Sequence, residues 1–446
     1  MKRRNSIPIL LAAVFVLGCD KKEEAPQMEA TPVVQYAIAD KASAAGPAEA
    51  VPEAPPAAEA PAEALGGSGR GSSGYAKGGG EEGSSAKRES ARRPARSIVP
   101  DDRPAPEPPQ QNLPRSGQLT AGAWSDNANW DFWTELMGKG FESHVRGWTF
   151  DLSNRFVVSV KHGGNPARNV PVVLTDVQGN PTWSAMTNGQ GNAYLFAPRT
   201  AAGPYEVKVG GLAPTRVDAD RQLDVDLSQE AAPRVADSIE VMFVVDTTGS
   251  MGDELAYIQS ELTDVAQQVR ERTRNEFKLR IGTAVYRDHQ DEYLVQTGPF
   301  TTNVQDSVAF LSRQSAHGGG DFPEAVDEAL EEVVEKLQWN SQARARLLFL
   351  VLDAPPHQDA EGKERLRKTM SNAAKQGIQV IPVVGSGIDK NTEFLMRTLA
   401  IVTQGTYVFL TSHSGIGGAH IEPTTGDYEV EKLNALIVRL IAEAAS

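Results

Sequence analysis

The sequence predicts an α/β protein with a doubly wound, mainly parallel sheet, preceded by a small antiparallel β-sandwich and a disordered tether. Three observations support this fold class. In the C-terminal half, continuous apolar runs alternate with segments of helical periodicity. Before them lie short β-branched runs separated by Gly- and Asn-containing turns. The N-terminal part is rich in Ala, Pro, Gly and Ser and has too few apolar residues to bury a core.

Composition narrows the functional classes. The chain of 446 residues is long enough for two or three domains, and its net charge is -14. Such an acidic chain lacks the concentrated Lys and Arg that bind phosphates, so we predict no nucleic-acid partner. An acidic surface instead suits cation binding or solubility. The one cysteine excludes an internal disulfide framework and any multi-cysteine zinc site.

The N-terminus has the pattern of a signal peptide over residues 1–19. Basic residues at 2–4 precede a short apolar segment at 7–17, and Val16-Leu17-Gly18-Cys19 resembles a bacterial lipobox. The resemblance implies that Cys19 becomes the lipidated mature N-terminus, which would anchor the chain in a membrane. The alternative is an ordinary secretory signal in which the cysteine is incidental. Asp20 resembles an inner-membrane retention signal, so the predicted location is the cell envelope, with the periplasmic face of the inner membrane favoured.

Four further regions follow the signal peptide. Residues 20–115 form the predicted linker, 116–150 an aromatic-rich segment, 151–230 the β-sandwich and 236–446 the α/β domain. The aromatic-rich segment is either a carbohydrate- or partner-binding platform or part of a domain core, and packing is the favoured interpretation. Its large side chains are Trp124, Trp130, Phe132, Trp133 and Trp148.

The β-sandwich is predicted from strand-like runs at 156–160, 170–174 and 205–209, with turn sequences between them. Residues 187–194 resemble the carboxypeptidase-regulatory-like repeat. That resemblance implies a spacing or adhesive role, and we find no catalytic constellation in this part of the sequence.

The α/β domain is predicted from alternating strands and helices. Ligands of such a fold bind beyond the carboxyl ends of its strands. The predicted strands are 239–245, 278–286, 347–352, 378–384 and 406–410. The predicted helices are 254–270, 323–337, 364–375, 392–401 and 430–443.

Oxygen-bearing side chains cluster at the ends of these predicted strands. Asp246, Thr248 and Ser250 lie between the first strand and the first helix. Asp321 lies in a glycine-rich loop before a helix, and Asp353 ends a later strand. Carboxylates and hydroxyls converging on one point are the ligands that hard divalent cations prefer. We therefore predict a cation site, with Mg²⁺ favoured and Ca²⁺ or Mn²⁺ as alternatives.

These motifs resemble those of von Willebrand factor type A domains over residues 238–444. Asp246-Thr247-Thr248-Gly249-Ser250 resembles the metal-ion-dependent adhesion site motif Asp-x-Ser-x-Ser, with a threonine in place of the first serine. The resemblance implies that the two hydroxyls bind the metal directly and that Asp246 and Asp353 act directly or through water. It also implies a protein ligand that completes the metal's coordination, and a binding protein that is not an enzyme.

The second loop departs from the family pattern. Asp321 stands where these domains usually have a threonine, although Gly-Gly-Gly-Asp-x-Pro-Glu resembles a variant found in bacterial von Willebrand lipoproteins and relatives of an alpha-kinase family. An extra carboxylate would bind the cation more tightly and make it less attractive to an acidic partner. His317 and His357 flank the loops, and we predict them beside the site, because hard cations prefer oxygen.

Three alternatives stay open. Asp246-Thr247-Thr248-Gly249-Ser250 also resembles the nucleophile loop of Mg²⁺-dependent phosphoaspartate phosphatases of the haloacid-dehalogenase type, which would need a lysine after a later strand and a second acidic pair. The second alternative is a vestigial site in an intact fold. The third is a purely structural envelope spacer, in which the tether and the sandwich carry the function.

Overall fold

The computed structural model describes residues 115–198, 203–217, 222–272, 276–320 and 322–446. The predicted signal peptide with Cys19, the predicted linker up to residue 114, and Asp321 lie outside these described residues. Among the described helices, none is both long and apolar enough to cross a bilayer.

The α/β part is built on an eight-stranded sheet. Its strands are β1 (Thr120–Trp124), β10 (Ala236–Asp246), β11 (Lys278–Tyr286), β12 (Val295–Thr301), β13 (Ala343–Leu352), β14 (Ile378–Val384), β15 (Tyr407–Leu410) and β16 (Glu431–Lys432). Their order across the sheet is β12-β11-β10-β13-β14-β15-β1-β16. Strands β11, β10, β13, β14 and β15 run parallel, whereas β12, β1 and β16 are antiparallel to their neighbours. This arrangement confirms the predicted fold class.

Helices cover both faces of the sheet. They are α1 (Trp130–Leu136), α2 (Glu142–Arg146), α3 (Gly252–Arg272), α4 (Val304–Leu311), α5 (Val326–Glu331), α6 (Ala360–Gln376), α7 (Lys390–Val402) and α8 (Leu433–Ala445). π-helical turns continue α1 over Met137–Phe141 and α5 over Glu332–Lys336, and short 3-10 turns lie at Gly249–Met251 and Ser412–Ser414. Helices α3, α4 and α8 contribute to one apolar core, and α5, α6 and α7 to the other.

Strand β10 shows why the sheet is buried on both faces. Met242 and Val244 belong to one core, while Val241, Phe243 and Val245 belong to the other. Successive side chains of a strand point to opposite faces, so the part of a strand that is covered on both sides is mostly apolar. Residues 241–245 of β10 form such an apolar run, whereas the buried Glu240 before them pairs with Arg280.

The sandwich lies between β1 and β10 in the sequence. One of its sheets has the order β3-β2-β6 with β9 paired to β2, and the other has the order β5-β4-β7-β8. The two sheets enclose a common apolar core that contains Phe156, Leu174 and Leu195. The strands are β2 (Asn154–His162), β3 (Asn165–Pro166), β4 (Pro171–Thr175), β5 (Pro181–Met186), β6 (Asn192–Ala197), β7 (Tyr205–Val209), β8 (Thr215–Val217) and β9 (Gln222–Asp226).

The aromatic-rich segment packs against the α/β part. Its strand β1 pairs with both β15 and β16, so this segment contributes to the sheet of a domain whose other strands begin more than a hundred residues later. Trp133 and Trp148 are buried in one of the two main cores. Burial of these rings supports the packing interpretation of the segment.

A buried ion pair holds the same segment in place. Arg397 of α7 donates to both carboxylate oxygens of Asp126, at 2.9 and 2.6 Å, and both side chains are buried. The guanidinium carbon of Arg397 also lies 5.1 Å from the centre of the Trp133 ring. Bidentate geometry of this kind compensates for the loss of hydration of both charges.

Candidate metal centre

The candidate site lies where the direction of strand addition reverses. From β10 the chain adds β11 and β12 on one side of the sheet, then returns to add β13, β14 and β15 on the other. The loops after β10 and β13 therefore diverge and leave a crevice at the carboxyl ends of these strands. Asp246 is the last residue of β10, and Asp353 follows β13 directly.

A chain of hydrogen bonds connects four oxygen-bearing side chains in this crevice. Asp246 Oδ1 accepts from the backbone N–H of Thr248 at 2.8 Å and from its hydroxyl at 2.7 Å. The hydroxyl oxygens of Thr248 and Ser250 lie 3.2 Å apart, and Ser250 donates to Asp353 Oδ1 at 3.0 Å. Two carboxylates and two hydroxyls thus lie within one hydrogen-bonded cluster.

Glu324 adds a third carboxylate to the cluster. Its side chain is 3% exposed, and its backbone forms a bridge to Pro356, close to Asp353 in the sequence. Asp246 Oδ2 and Glu324 Oε2 are both buried and make no hydrogen bond of good geometry in the described part of the chain, although the buried hydroxyl of Tyr286 lies near the Asp246 carboxylate. A buried carboxylate oxygen without a partner is costly, so the arrangement favours a bound proton or cation.

The ionised carboxylates of the cluster repel one another. Burial and the charge of Asp353 raise the pKa of Asp246 to about 7. Burial and the charges of Asp246, Asp288 and Asp353 raise the pKa of Glu324 to about 9, and burial with the charge of Glu254 raises the pKa of Asp353 to about 6. A divalent cation would relieve this repulsion, because it stabilises all three ionised forms at once.

The glycine-rich loop closes one side of the crevice. Gly318 and Gly319 have φ angles of +82° and +71°, which favour glycine, and a Cβ at Gly318 would overlap the Asp291 carboxylate. Gly249 N donates to Gly318 O at 3.1 Å, and Gly319 N donates to Asp291 Oδ2 at 2.9 Å. These bonds hold the loop against the end of β10.

The crevice is open to solvent as a pocket of about 480 Å³. Its lining combines polar site residues with backbone of the glycine-rich loop and one apolar ring, that of Phe322, whose exposure is 47%. Its wall includes Ser250, Glu324 and Asp353. A ligand could therefore approach the cluster from solvent across an apolar rim.

Four of the five predicted ligands lie together: Asp246, Thr248, Ser250 and Asp353. Asp321 lies outside the described residues. Glu324 belongs to the predicted second loop but was not among the predicted ligands. Its position between a proline and a helix, next to a loop that was expected to contact the site, could have identified it as a site residue.

The two flanking histidines have different environments. His317 is exposed, and its backbone N–H donates to Thr247 O at 3.0 Å. His357 Nε2 lies 2.7 Å from Asp288 Oδ1.

The phosphoaspartate alternative would need a lysine after a later strand. Lys390, the first lysine after β14, contacts Glu393 at 2.7 Å and Thr424 at 2.8 Å. Lys390 thus has acidic and hydroxyl partners on α7 and the segment before α8.

The fold and this cluster define a doubly wound α/β domain with an oxygen-rich site at its switch point. Residues 240–423 match the family model of the von Willebrand factor A domain. The match to this part of the chain supports a role in protein interaction or as a scaffold.

Matches to individual proteins are partial. The chain is 25% identical over 133 residues to an ariadne-like RING finger protein of Acanthamoeba polyphaga mimivirus, covering 30% of this chain and 13% of that protein. It is 26% identical over 127 residues to alpha-protein kinase vwkA of Dictyostelium discoideum, covering 28% of this chain and 20% of the kinase. A solved structure of the conserved hypothetical protein BatB from Bacteroides thetaiotaomicron has a TM-score of 0.32 and 15% identity, covering 47% of this chain and 99% of BatB.

Proposed function

We propose that this protein is a lipid-anchored, metal-dependent protein-binding protein of the cell envelope. The observation that carries the proposal is the buried cluster of three carboxyl groups, those of Asp246, Glu324 and Asp353, in which Asp246 Oδ2 and Glu324 Oε2 make no hydrogen bond of good geometry among the residues described. They lie in a cluster with the hydroxyls of Thr248 and Ser250. Desolvated carboxylates of this kind need a counter-charge, and a hard divalent cation provides one.

The residues present fit Mg²⁺ by their chemistry. The cluster offers three carboxylates and two hydroxyls, and all of these donors are oxygen. Oxygen donors of this kind suit Mg²⁺, with Ca²⁺ or Mn²⁺ as alternatives. Asp246, Thr248, Ser250, Asp353 and Glu324 would hold the ion, which would supply a positive charge at the floor of the pocket. Asp321 remains a proposed further ligand from the same loop as Glu324.

The anchoring part of the proposal rests on the sequence. Cys19 ends a lipobox-like segment, and residues 20–115 provide a long linker between that cysteine and β1. A chain of this composition would let the folded part reach a partner away from the membrane. Asp20 favours the periplasmic face of the inner membrane as the place of attachment.

A pull-down from detergent-solubilised envelope extract tests the binding function. The bait is the full chain, either wild type, Asp246→Ala or Asp253→Ala, with Mg²⁺ or with EDTA. Asp253 is an exposed aspartate at the start of α3, so Asp253→Ala removes one carboxylate, as Asp246→Ala does, but outside the cluster. We expect a partner that wild type and Asp253→Ala recover only with Mg²⁺ and that Asp246→Ala does not recover.

Two outcomes would contradict this function. Recovery that is equal with EDTA, or equal for Asp246→Ala, would favour the structural spacer. Mg²⁺-dependent phosphatase turnover by wild type, absent from Asp246→Asn, would favour the phosphoaspartate enzyme instead. Circular dichroism of each variant establishes that the loss of recovery does not come from unfolding.

A further inference from the structure

A second group of metal-binding side chains lies next to the oxygen-rich cluster. Asp288 and His289 follow β11, and His357 follows β13. One ligand atom from each of these three residues can be chosen so that all lie within 4.8 Å of one another. The three residues come from two loops at the same edge of the sheet, so the fold itself assembles them.

Two short contacts organise this group. His357 Nε2 lies 2.7 Å from Asp288 Oδ1, and His289 Nε2 lies 2.8 Å from Glu328 Oε1. The two imidazole rings are stacked, with centroids 4.6 Å apart and planes inclined by 9°. The Nε2 atom of each imidazole thus faces a carboxylate oxygen, and the stacking of the rings makes the two nitrogen–oxygen pairs neighbours. The nitrogen and oxygen ligands of one metal ion lie only slightly farther apart than these two nitrogen–oxygen distances.

The group carries an excess of negative charge. Asp288, Asp327 and Glu328 are carboxylates, and Arg365 is the cationic partner of the last two, with Nη1 2.8 Å from Asp327 Oδ2 and 2.5 Å from Glu328 Oε1. Glu328 Oε2 and Asp327 Oδ1 are buried and make no hydrogen bond of good geometry in the described ranges, and the two carboxyl groups lie close enough to share a proton, which a bound cation would displace. His289 is 45% exposed at its side chain, so an ion could reach the group from solvent.

We infer that Asp288, His289 and His357, with Glu328, form a second cation site, for a borderline transition metal such as Zn²⁺. Two imidazoles with carboxylates are a donor set that suits Zn²⁺, whereas Mg²⁺ favours oxygen donors alone. The donor chemistry therefore separates this site from the oxygen-rich cluster. The inference does not require the proposed binding function to be correct.

The second site would brace the first. Glu324 N donates to Pro355 O at 2.9 Å, and Ala325 N donates to Arg287 O at 3.2 Å. The backbone around Glu324 is thus bonded to the segments that carry His357 and Asp288. An ion shared by those two residues would cross-link the loops on which the position of Glu324 depends.

Cobalt substitution tests this site. The full chain, purified without a histidine tag and saturated with Mg²⁺, is titrated with Co²⁺, whose visible absorption bands report nitrogen ligation and low coordination number. The variants are His289→Gln, His357→Gln, His317→Gln and Asp246→Ala. His317 is an exposed histidine near the oxygen-rich cluster and serves as the matched control.

We expect wild type to bind one Co²⁺ with intense visible bands and to release it to Zn²⁺. Either His289→Gln or His357→Gln should weaken binding by about 100-fold or more, since even indirect partners of a metal contribute 10- to 100-fold. His317→Gln should bind Co²⁺ like wild type, and Asp246→Ala should lose Mg²⁺ binding at the oxygen-rich cluster but keep the Co²⁺ bands. The two single variants provide independent tests if one of them fails to fold by circular dichroism.

Three results would overturn the inference. One is a wild-type protein without Co²⁺ bands, which would leave only histidine–carboxylate ion pairs at this place. The second is the persistence of the bands in both folded histidine variants. The third is their loss in Asp246→Ala, which would place the Co²⁺ in the oxygen-rich cluster. Failure of the metal-dependent pull-down with intact Co²⁺ binding would contradict the proposed function alone.

Discussion

Asp246, Glu324 and Asp353 place three carboxyl groups in one buried cluster, and their ionisation is therefore coupled to folding. Each has a pKa raised above its ordinary value, chiefly by burial. A carboxyl group whose pKa is raised in the folded state stabilises the fold in its protonated form. That contribution is complete below the ordinary pKa of about 4 and is lost as the pH rises through the folded-state values.

The first prediction concerns pH and metal. Without metal, the free energy of unfolding should fall as the pH rises from about 4, through the folded-state pKa values of about 6, 7 and 9 for Asp353, Asp246 and Glu324. Mg²⁺ at roughly 100 times its Kd should restore about 2.7 kcal/mol at the alkaline end. Urea unfolding with EDTA or Mg²⁺ measures both effects. Metal-free stability that rises over this range would be inconsistent with the buried cluster.

The second prediction isolates Glu324. Glu324→Gln removes a carboxylate that has an unpartnered buried oxygen within the described residues, so it should weaken Mn²⁺ binding about tenfold or more, or at least 1.4 kcal/mol. The same change should raise metal-free stability at alkaline pH, because it removes a repelled charge. Electron paramagnetic resonance of free Mn²⁺ during a titration measures the affinity.

Glu292→Gln is the control for that measurement, since the Glu292 side chain is 86% exposed. Equal Mn²⁺ affinities of Glu324→Gln and Glu292→Gln would show that Glu324 is not a ligand of the site.

The motif at the end of β10 identified Asp246, Thr248 and Ser250 from the sequence because these residues are close together in the chain. Glu324 was not selected because its place depends on a backbone bridge to Pro356, which is set only by tertiary structure.

At the scale of elements, the parallel strands were the most predictable part of the fold. The predicted strands 278–286 and 378–384 coincide with β11 and β14. Most of their residues are buried on both faces, so the two sequences are largely apolar. Helix α6 was also predicted within a few residues, and Asp359 caps its start by accepting from Glu361 N and Gly362 N.

Two strands near the ends of the sheet were not predicted because their sequences carry weak strand signals. β12 and β1 were not predicted: β12 contains a glycine and a proline, and β1 is largely small residues. The partner of β1 is β15, nearly three hundred residues away, so only tertiary pairing identifies it as a strand. Strands near the ends of a sheet, such as β12 and β1, depend on their neighbours more than on their own propensity.

The third prediction tests how the aromatic-rich segment is held. Asp126→Asn removes the bidentate partner of Arg397 and leaves Glu393 Oε1, 3.6 Å from Nη1, as its remaining buried anionic partner, so it should reduce the free energy of unfolding by about 1.5–3 kcal/mol. Urea unfolding followed by tryptophan fluorescence measures the change, because Trp133 lies beside Arg397. Asp131→Asn, at an exposed position of α1, is the control and should change stability by less than about 0.5 kcal/mol. Equal stabilities of the two variants would mean that the ion pair does not secure this segment.

At the scale of the whole molecule, we expect the described domains to be tethered to a membrane through Cys19. Cys19→Ser should abolish incorporation of labelled palmitate and shift the protein from the membrane fraction to the soluble periplasmic fraction, since each buried methylene contributes about 0.8 kcal/mol to membrane binding. Fractionation of cells expressing wild type and variant measures the shift. Incorporation of labelled palmitate that survives Cys19→Ser would exclude lipidation at Cys19.

The central claim is that the cluster at the end of β10 binds a divalent cation. Calorimetric titration of Mg²⁺ into wild type, Asp246→Asn and Asp253→Asn tests it most directly, because Asp246 is buried in the cluster while Asp253 is exposed beside it. We expect saturable binding of one ion by wild type and Asp253→Asn, and an affinity at least about tenfold lower for Asp246→Asn. No saturable binding by wild type, or equal affinity of Asp246→Asn, would contradict the claim.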